Sequence, residues 1–94
     1  MDELLRQRRE EVLAIARRHG VGRLRVFGSA ARDGLGPESD VDLLAESVSD
    51  PSPFFPGGLI VELEALLGRR VEVVEPGGLH QSIRQQVLRE ALPL

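Results

Sequence analysis

The feature that most limits what this chain can fold into is its punctuation. Ten glycines and six prolines are spread through 94 residues, at Gly20, Gly28, Gly34 to Pro37, Pro51 to Gly58, Gly68, Pro76 to Gly78 and Pro93 among others. Each such position ends or bends a regular element, because glycine enters left-handed backbone at little cost and proline lacks an amide hydrogen. Only short helices and strands fit between them. A chain of this size buries somewhat over roughly 60% of its unfolded surface, enough for one modest core. With no internal repeat and no linker, residues 1–94 are expected to form a single domain.

Between the breaks, apolar periodicity assigns the elements. From Asp2 to about His19, Leu4, Leu5, Val12, Ile15 and Ala16 share one helical stripe, with Asp2 placed to cap the start and Gly20 to stop it. Arg23 to Phe27 alternates with period two and reads as a strand; Ser29 to Asp33 can make one helical turn. A second strand runs from Asp40 to about Glu46, with Val41, Leu43 and Ala45 on one face and Asp40, Asp42 and Leu44 on the other. Ser47 to Gly58 is a loop whose Phe54-Phe55 pair is expected to cover the core. Leu59 to Leu67 is helical, Arg70 to Glu75 is a third strand, and Leu79 to Ala91 is a last helix with Leu79, Ile83, Val87 and Leu88 inward. This order predicts an α/β (α+β) fold, a small mixed β-sheet flanked by helices.

Composition narrows the function. The net charge of −3 argues against direct nucleic-acid binding, which needs a basic surface. Arginines crowd the first third, where they read best as the solvated face of a helix. With no cysteine, disulfides and thiolate metal sites are excluded, in keeping with a reducing compartment such as the cytoplasm. No apolar run reaches the roughly 20 residues of a membrane span, and the charged start MDELLRQRREEV does not resemble a signal peptide. His19 and His80 lack metal-ligand spacing and are given no catalytic role.

The chemistry concentrates in RVFGSAARDGLGPESDVDLLAE, residues 25 to 46. On a strand Asp40 and Asp42 point to the same side about 7 Å apart along the backbone, so their carboxylates can converge. Like charges so placed raise each other's pKa unless a cation lies between them, and Mg²⁺ is the hard ion that takes one or two carboxylates plus phosphate oxygens. If strands 1 and 2 are antiparallel, Gly28-Ser29 lies beside Asp40. Gly28 then permits a tight turn with no Cβ in the way of a ligand, Ser29 offers a hydroxyl donor, and Arg32 can reach the same anion. Glu72 is the candidate third carboxylate of a two-metal arrangement, since a helical crossover would lay strand 3 parallel to strand 2 with Glu72 facing away from Val71 and Val73. Plainer roles compete at each position: a solvent-facing strand for the aspartates and Glu72, a helix cap for Ser29, and pairing of Arg32 with Asp33 or Glu38.

Gly28-Ser29, ten residues, then Asp40-Val41-Asp42 resembles the signature of the DNA polymerase beta-like nucleotidyltransferase superfamily. The whole chain, through GRRVEVVEPGGL to the final helix, resembles its minimal branch, the MNT or MntA-type antitoxins. The resemblance implies the polymerase beta-like fold and transfer of AMP from ATP, with two Mg²⁺ ions, to a hydroxyl of a partner protein. The implied acceptor is a tyrosine of a HEPN-family toxin, held in a hetero-oligomer. Gly28 and Ser29 match the phosphate-binding pair, Asp40 and Asp42 the metal ligands, and Glu72 the third acid. Two departures stand out: Glu72 replaces the usual Asp, and Asp33 stands where glycine is common. They leave room for an alternative, a weak or inactive enzyme that neutralises its partner by binding alone. Transfer to a small molecule such as an aminoglycoside is the less favoured third reading, because no second domain is visible to build its pocket.

Overall fold

The computed structural model describes residues 1–32, 36 and 39–94. Asp33, Gly34, Leu35, Pro37 and Glu38 lie outside that set, and with them the expected breaks at Gly34 and Pro37, the Asp33 departure and the pairing of Arg32 with Asp33 or Glu38. The described elements are α1 (Glu3–Gln7), α2 (Arg9–Arg18), β1 (Val21–Phe27), β2 (Val41–Val48), α3 (Gly57–Leu67), β3 (Val71–Val74), α4 (Gln81–Glu90) and β4 (Leu92–Pro93). Short 3-10 turns follow β1 at Gly28–Ala30 and β3 at Pro76–Gly78. No helix among the described residues is long and apolar enough to cross a membrane.

The strands form one mixed sheet in the order β3-β2-β1-β4. β1 runs antiparallel to β2, β3 parallel to β2, and β4 antiparallel to β1. The first two relations are those expected from the sequence. Alternation gives the sheet two unlike faces. Leu24, Val26, Val41, Leu43, Ala45, Val71 and Val73 are buried with Leu5, Val12, Ala16, Leu59, Leu63 and Leu67 of α1, α2 and α3 in one apolar core. The opposite parity carries Arg25, Asp42, Glu46 and Glu72, with Leu44 as its fully buried apolar member. One face holds the fold together; the other is left for chemistry.

Several local expectations are corrected. The leading helix is broken at Arg8, whose backbone leaves helical geometry (φ −102°, ψ 12°). Residues 6–11 are all exposed, so no packing enforces a straight helix there. The Asp2 cap is present, its carboxylate accepting from the Leu4 amide at 2.9 Å. In the loop, Phe55 packs partly against the core as anticipated, but Phe54 is 94% exposed. The last helix begins at Gln81 rather than Leu79 and buries none of its residues; Ile83 is 47% exposed. Val87 and Leu88 of its apolar stripe are half-buried. Pro93, read only as a terminator, lies with Leu92 in the short strand β4 beside Arg25 and Val26. His19, given no catalytic role in the sequence, has a structural one: its ring bonds Ser52 (2.6 Å) and Glu62, tying α2 to α3 and the loop before it.

Candidate active site

The site grows from one row of the sheet. Phe27 pairs with Asp42, and Asp42 with Glu72, so three strands place these residues side by side. Directly after Phe27 the chain turns at Gly28, whose φ of +70° lies in the left-handed region that favours glycine. A Cβ at this position would stand 2.5 Å from Oδ2 of Asp42. The glycine therefore serves both the turn and the close approach of backbone to carboxylate. Beyond it, Ala30 and Ala31 are buried, anchoring the turn in the core, while the Ala30 carbonyl accepts from the Asp2 amide at 2.8 Å. Ser29 is left exposed, its hydroxyl without a hydrogen bond among the described residues.

The far side of the turn is held by different contacts. Val41 donates to the Arg70 carbonyl at 2.8 Å, fixing the start of β2 against β3. Arg69 donates to the Gly36 carbonyl at 2.6 Å, and the Gly36 amide donates to Ser39 Oγ at 3.2 Å. These bonds set the entry into Asp40 and Asp42, both half-buried. Glu72 is exposed on the neighbouring strand.

Electrostatically the site is an uncompensated acid cluster. The Asp42 carboxyl is pushed up to about 6, first by burial, then by the Glu72 charge, a hydrogen bond with Glu72 and the charge of Asp40. A divalent cation would relieve that repulsion, and the donors present, all hard carboxylate oxygens, suit Mg²⁺ or Mn²⁺. Among the described residues no group of three His, Cys, Asp or Glu side chains is gathered as a ready-made cage. Asp42 with Glu72, and Asp40 two residues away, offers the smaller protein share expected of an ion that draws its other ligands from water and phosphate.

Of the positions singled out in the sequence, Gly28, Asp42 and Glu72 come together, with Asp40 next to Asp42 and Ser29 next to Gly28. Arg32 is placed differently: its guanidinium meets Glu90 at the end of α4, 3.4 Å away, and is 58% exposed. Nothing local in the sequence marks Glu90 for this contact, because 58 residues separate the pair. Arg25 and Glu46 were likewise not singled out as a pair. Alternation puts both on the face of Asp42, and Arg25 Nε donates to Glu46 at 2.7 Å.

Comparison with known proteins points the same way as this geometry. The family model described as a nucleotidyltransferase domain matches residues 6–94. The protein adenylyltransferase MntA of Thermococcus cleftensis is 41% identical over 75 residues, 80% of this chain and 76% of that protein. A solved structure of a candidate minimal nucleotidyltransferase superposes with a TM-score of 0.85 at 48% identity, covering 100% of this chain and 97% of the other. A mutant form of the toxin–antitoxin MntA-HpeT shares the fold at 18% identity, with a TM-score of 0.73 over 92% of this chain and 70% of that one.

Proposed function

We propose, for a chain that belongs to the nucleotidyltransferase family, transfer of AMP from Mg²⁺-ATP to a hydroxyl of a partner toxin, acting as the antitoxin of the pair in the cytoplasm. The acceptor in this reading is a tyrosine of a HEPN-family toxin. The observation that carries it is the approach of the Gly28 turn to Asp42, which puts a phosphate-gripping backbone against a metal-binding carboxylate. The kinship with a protein adenylyltransferase and the toxin–antitoxin pairing of a structural neighbour support the choice of acceptor.

Asp40 and Asp42 hold the cation, with Glu72 alongside. When bound, Mg²⁺ neutralises the triphosphate and makes the attacking hydroxyl more acidic. Gly28 admits the phosphates close to the backbone, and Ser29 donates its hydroxyl to one of their oxygens. Arg32 leaves Glu90 to meet the same charge, an exchange of one exposed ion pair for a charge-assisted bond. Glu72 accepts the proton of the acceptor hydroxyl as its oxygen attacks the α-phosphorus and the bond to the β-phosphate breaks, releasing pyrophosphate. Catalysis is then mainly positioning and charge compensation.

The test is incubation of the protein with labelled ATP, Mg²⁺ and the neighbouring toxin. Label is expected on the toxin and is expected to vanish with Asp42→Ala; transfer that persists in that variant sinks the reading. The alternative of neutralisation by binding alone draws on the two departures from the usual site, Glu72 and Asp33. It predicts a toxin silenced equally well by Asp40→Ala without ATP.

A further inference from the structure

A cleft of about 650 Å³ opens at the C-terminal ends of the parallel strands β2 and β3. Phe55, Pro56, Val73 and Val74 form its apolar walls, and Ser47 and Glu75 stand on its lining. It adjoins the carboxylate site without containing it: its lining begins at Ala45 and Val73, three residues along β2 from Asp42 and one along β3 from Glu72, and includes none of the three site carboxylates. Crevices at the carboxyl ends of parallel strands are common binding places, and this volume falls within the usual range of roughly 300–1,000 Å³ for such sites.

Three observations say what it takes. Phe54, next to the wall residue Phe55, is 94% exposed. Its backbone sits at φ +60°, a conformation disfavoured for a bulky residue, so the chain holds an aromatic ring out in water against its own preference. Exposed aromatics beside apolar grooves are the anchors of protein interfaces. The charge on the lining is negative: Glu46 is taken up by Arg25 and Arg23, but Glu75 is exposed and makes no ion pair among the described residues. An apolar trough with one unspent carboxylate, on a chain of net charge −3, is complementary to an apolar segment flanked by lysine or arginine.

We propose that this cleft is the docking site for the protein acceptor, which seats an apolar side chain between Phe55 and Val74, sets a basic side chain on Glu75 and is capped by Phe54. The inference rests on the reading that the acceptor is a protein, and it names where that protein is held. Contacts at the C-terminal ends of β2 and β3 hold the acceptor while its hydroxyl reaches Asp42, nearer the start of β2.

The experiment uses the purified neighbouring toxin as probe, with Phe54→Ser, Glu75→Gln and Glu75→Lys variants that melt as the wild type does. With labelled Mg²⁺-ATP, each is expected to raise the KM for the toxin, by about tenfold for Phe54→Ser and Glu75→Lys, and to leave the KM for ATP unchanged. Unchanged KM values for the toxin overturn the docking site and leave the transferase reading intact. If the wild type binds the toxin by calorimetry but transfers no label, the transferase reading falls. Docking then stands only if the variants weaken that binding by a similar factor. A wild type that neither binds nor labels the toxin removes both. Sedimentation showing a dimer that Phe54→Ser dissolves overturns the proposal in favour of a second copy of this chain.

Discussion

Gly28 and Asp42 can be understood only as a pair. The glycine answers two demands at once, a positive φ and a neighbour too close for any Cβ. Gly28→Ala is therefore expected to cost about 1–2 kcal/mol of stability through its backbone alone. By pushing the carboxylate aside it should also lower transfer on the order of 100-fold, readable in labelled-ATP assays beside urea melts. Asp42 carries the opposite tension. Its carboxyl titrates near 6 in the fold and near 3.8 in the open chain, so between those values the folded state binds the extra proton. Stability from this group is full below about pH 4 and lost as pH rises through about 6, leaving the cation-free protein less stable at neutral pH. Two pKa units correspond to nearly 3 kcal/mol, which screening of a half-buried group reduces to about 1–2 kcal/mol. Asp42→Asn should flatten that decline and raise the unfolding free energy at pH 8 while abolishing transfer, as urea titrations across pH 4 to 8 will show. The spacing of Gly28-Ser29 from Asp40 and Asp42 made these two positions legible in the sequence, and strand parity did the same for Glu72. The Arg32–Glu90 contact was not legible, since it depends on where α4 happens to end.

Among the elements, α4 differs most from its sequence pattern. Its stripe of Ile83, Val87 and Leu88 has helical spacing, yet Val87 and Leu88 are only half-buried and Ile83 is exposed. Period alone reports that a helix is amphipathic; what it faces is decided by the parity of distant strands. Polar ties hold it instead. Arg25, with 14% of its side chain exposed, clasps Glu46 at 2.7 and 3.2 Å and reaches the Leu88 carbonyl at 3.4 Å. Arg25→Ala is expected to cost about 2 kcal/mol by leaving Glu46 with only the longer 3.8 Å contact to Arg23, whereas the double change Arg25→Met with Glu46→Leu should come out near neutral. A double-mutant cycle by chemical denaturation measures the difference. β4 escaped notice for a similar reason: two residues beside β1 make too short a run for any alternation to show.

For the molecule as a whole, sequence order and breaker spacing were enough to foresee a small mixed sheet with β3 parallel to β2 after its helical crossover, while the antiparallel pairing of β1 with β2 stood only as the condition for bringing Gly28 to the aspartates. They were not enough to place the closing strand. The acid row across that sheet ties global stability to ligand. Mg²⁺-ATP at about 100 times its dissociation constant should add about 2.7 kcal/mol to unfolding, a shift of several degrees in the thermal midpoint that EDTA reverses and Asp42→Asn abolishes. The sheet also has an outer margin at β3, where the Val71 amide turns away from β2 and is claimed by the Glu64 carboxylate at 3.0 Å. That single bond occupies the first rung onto which a stray β-strand would climb, and it surrounds the rung with negative charge. Glu64 thus sets a carboxylate on the free edge of β3, where negative charge opposes the pairing of a second strand.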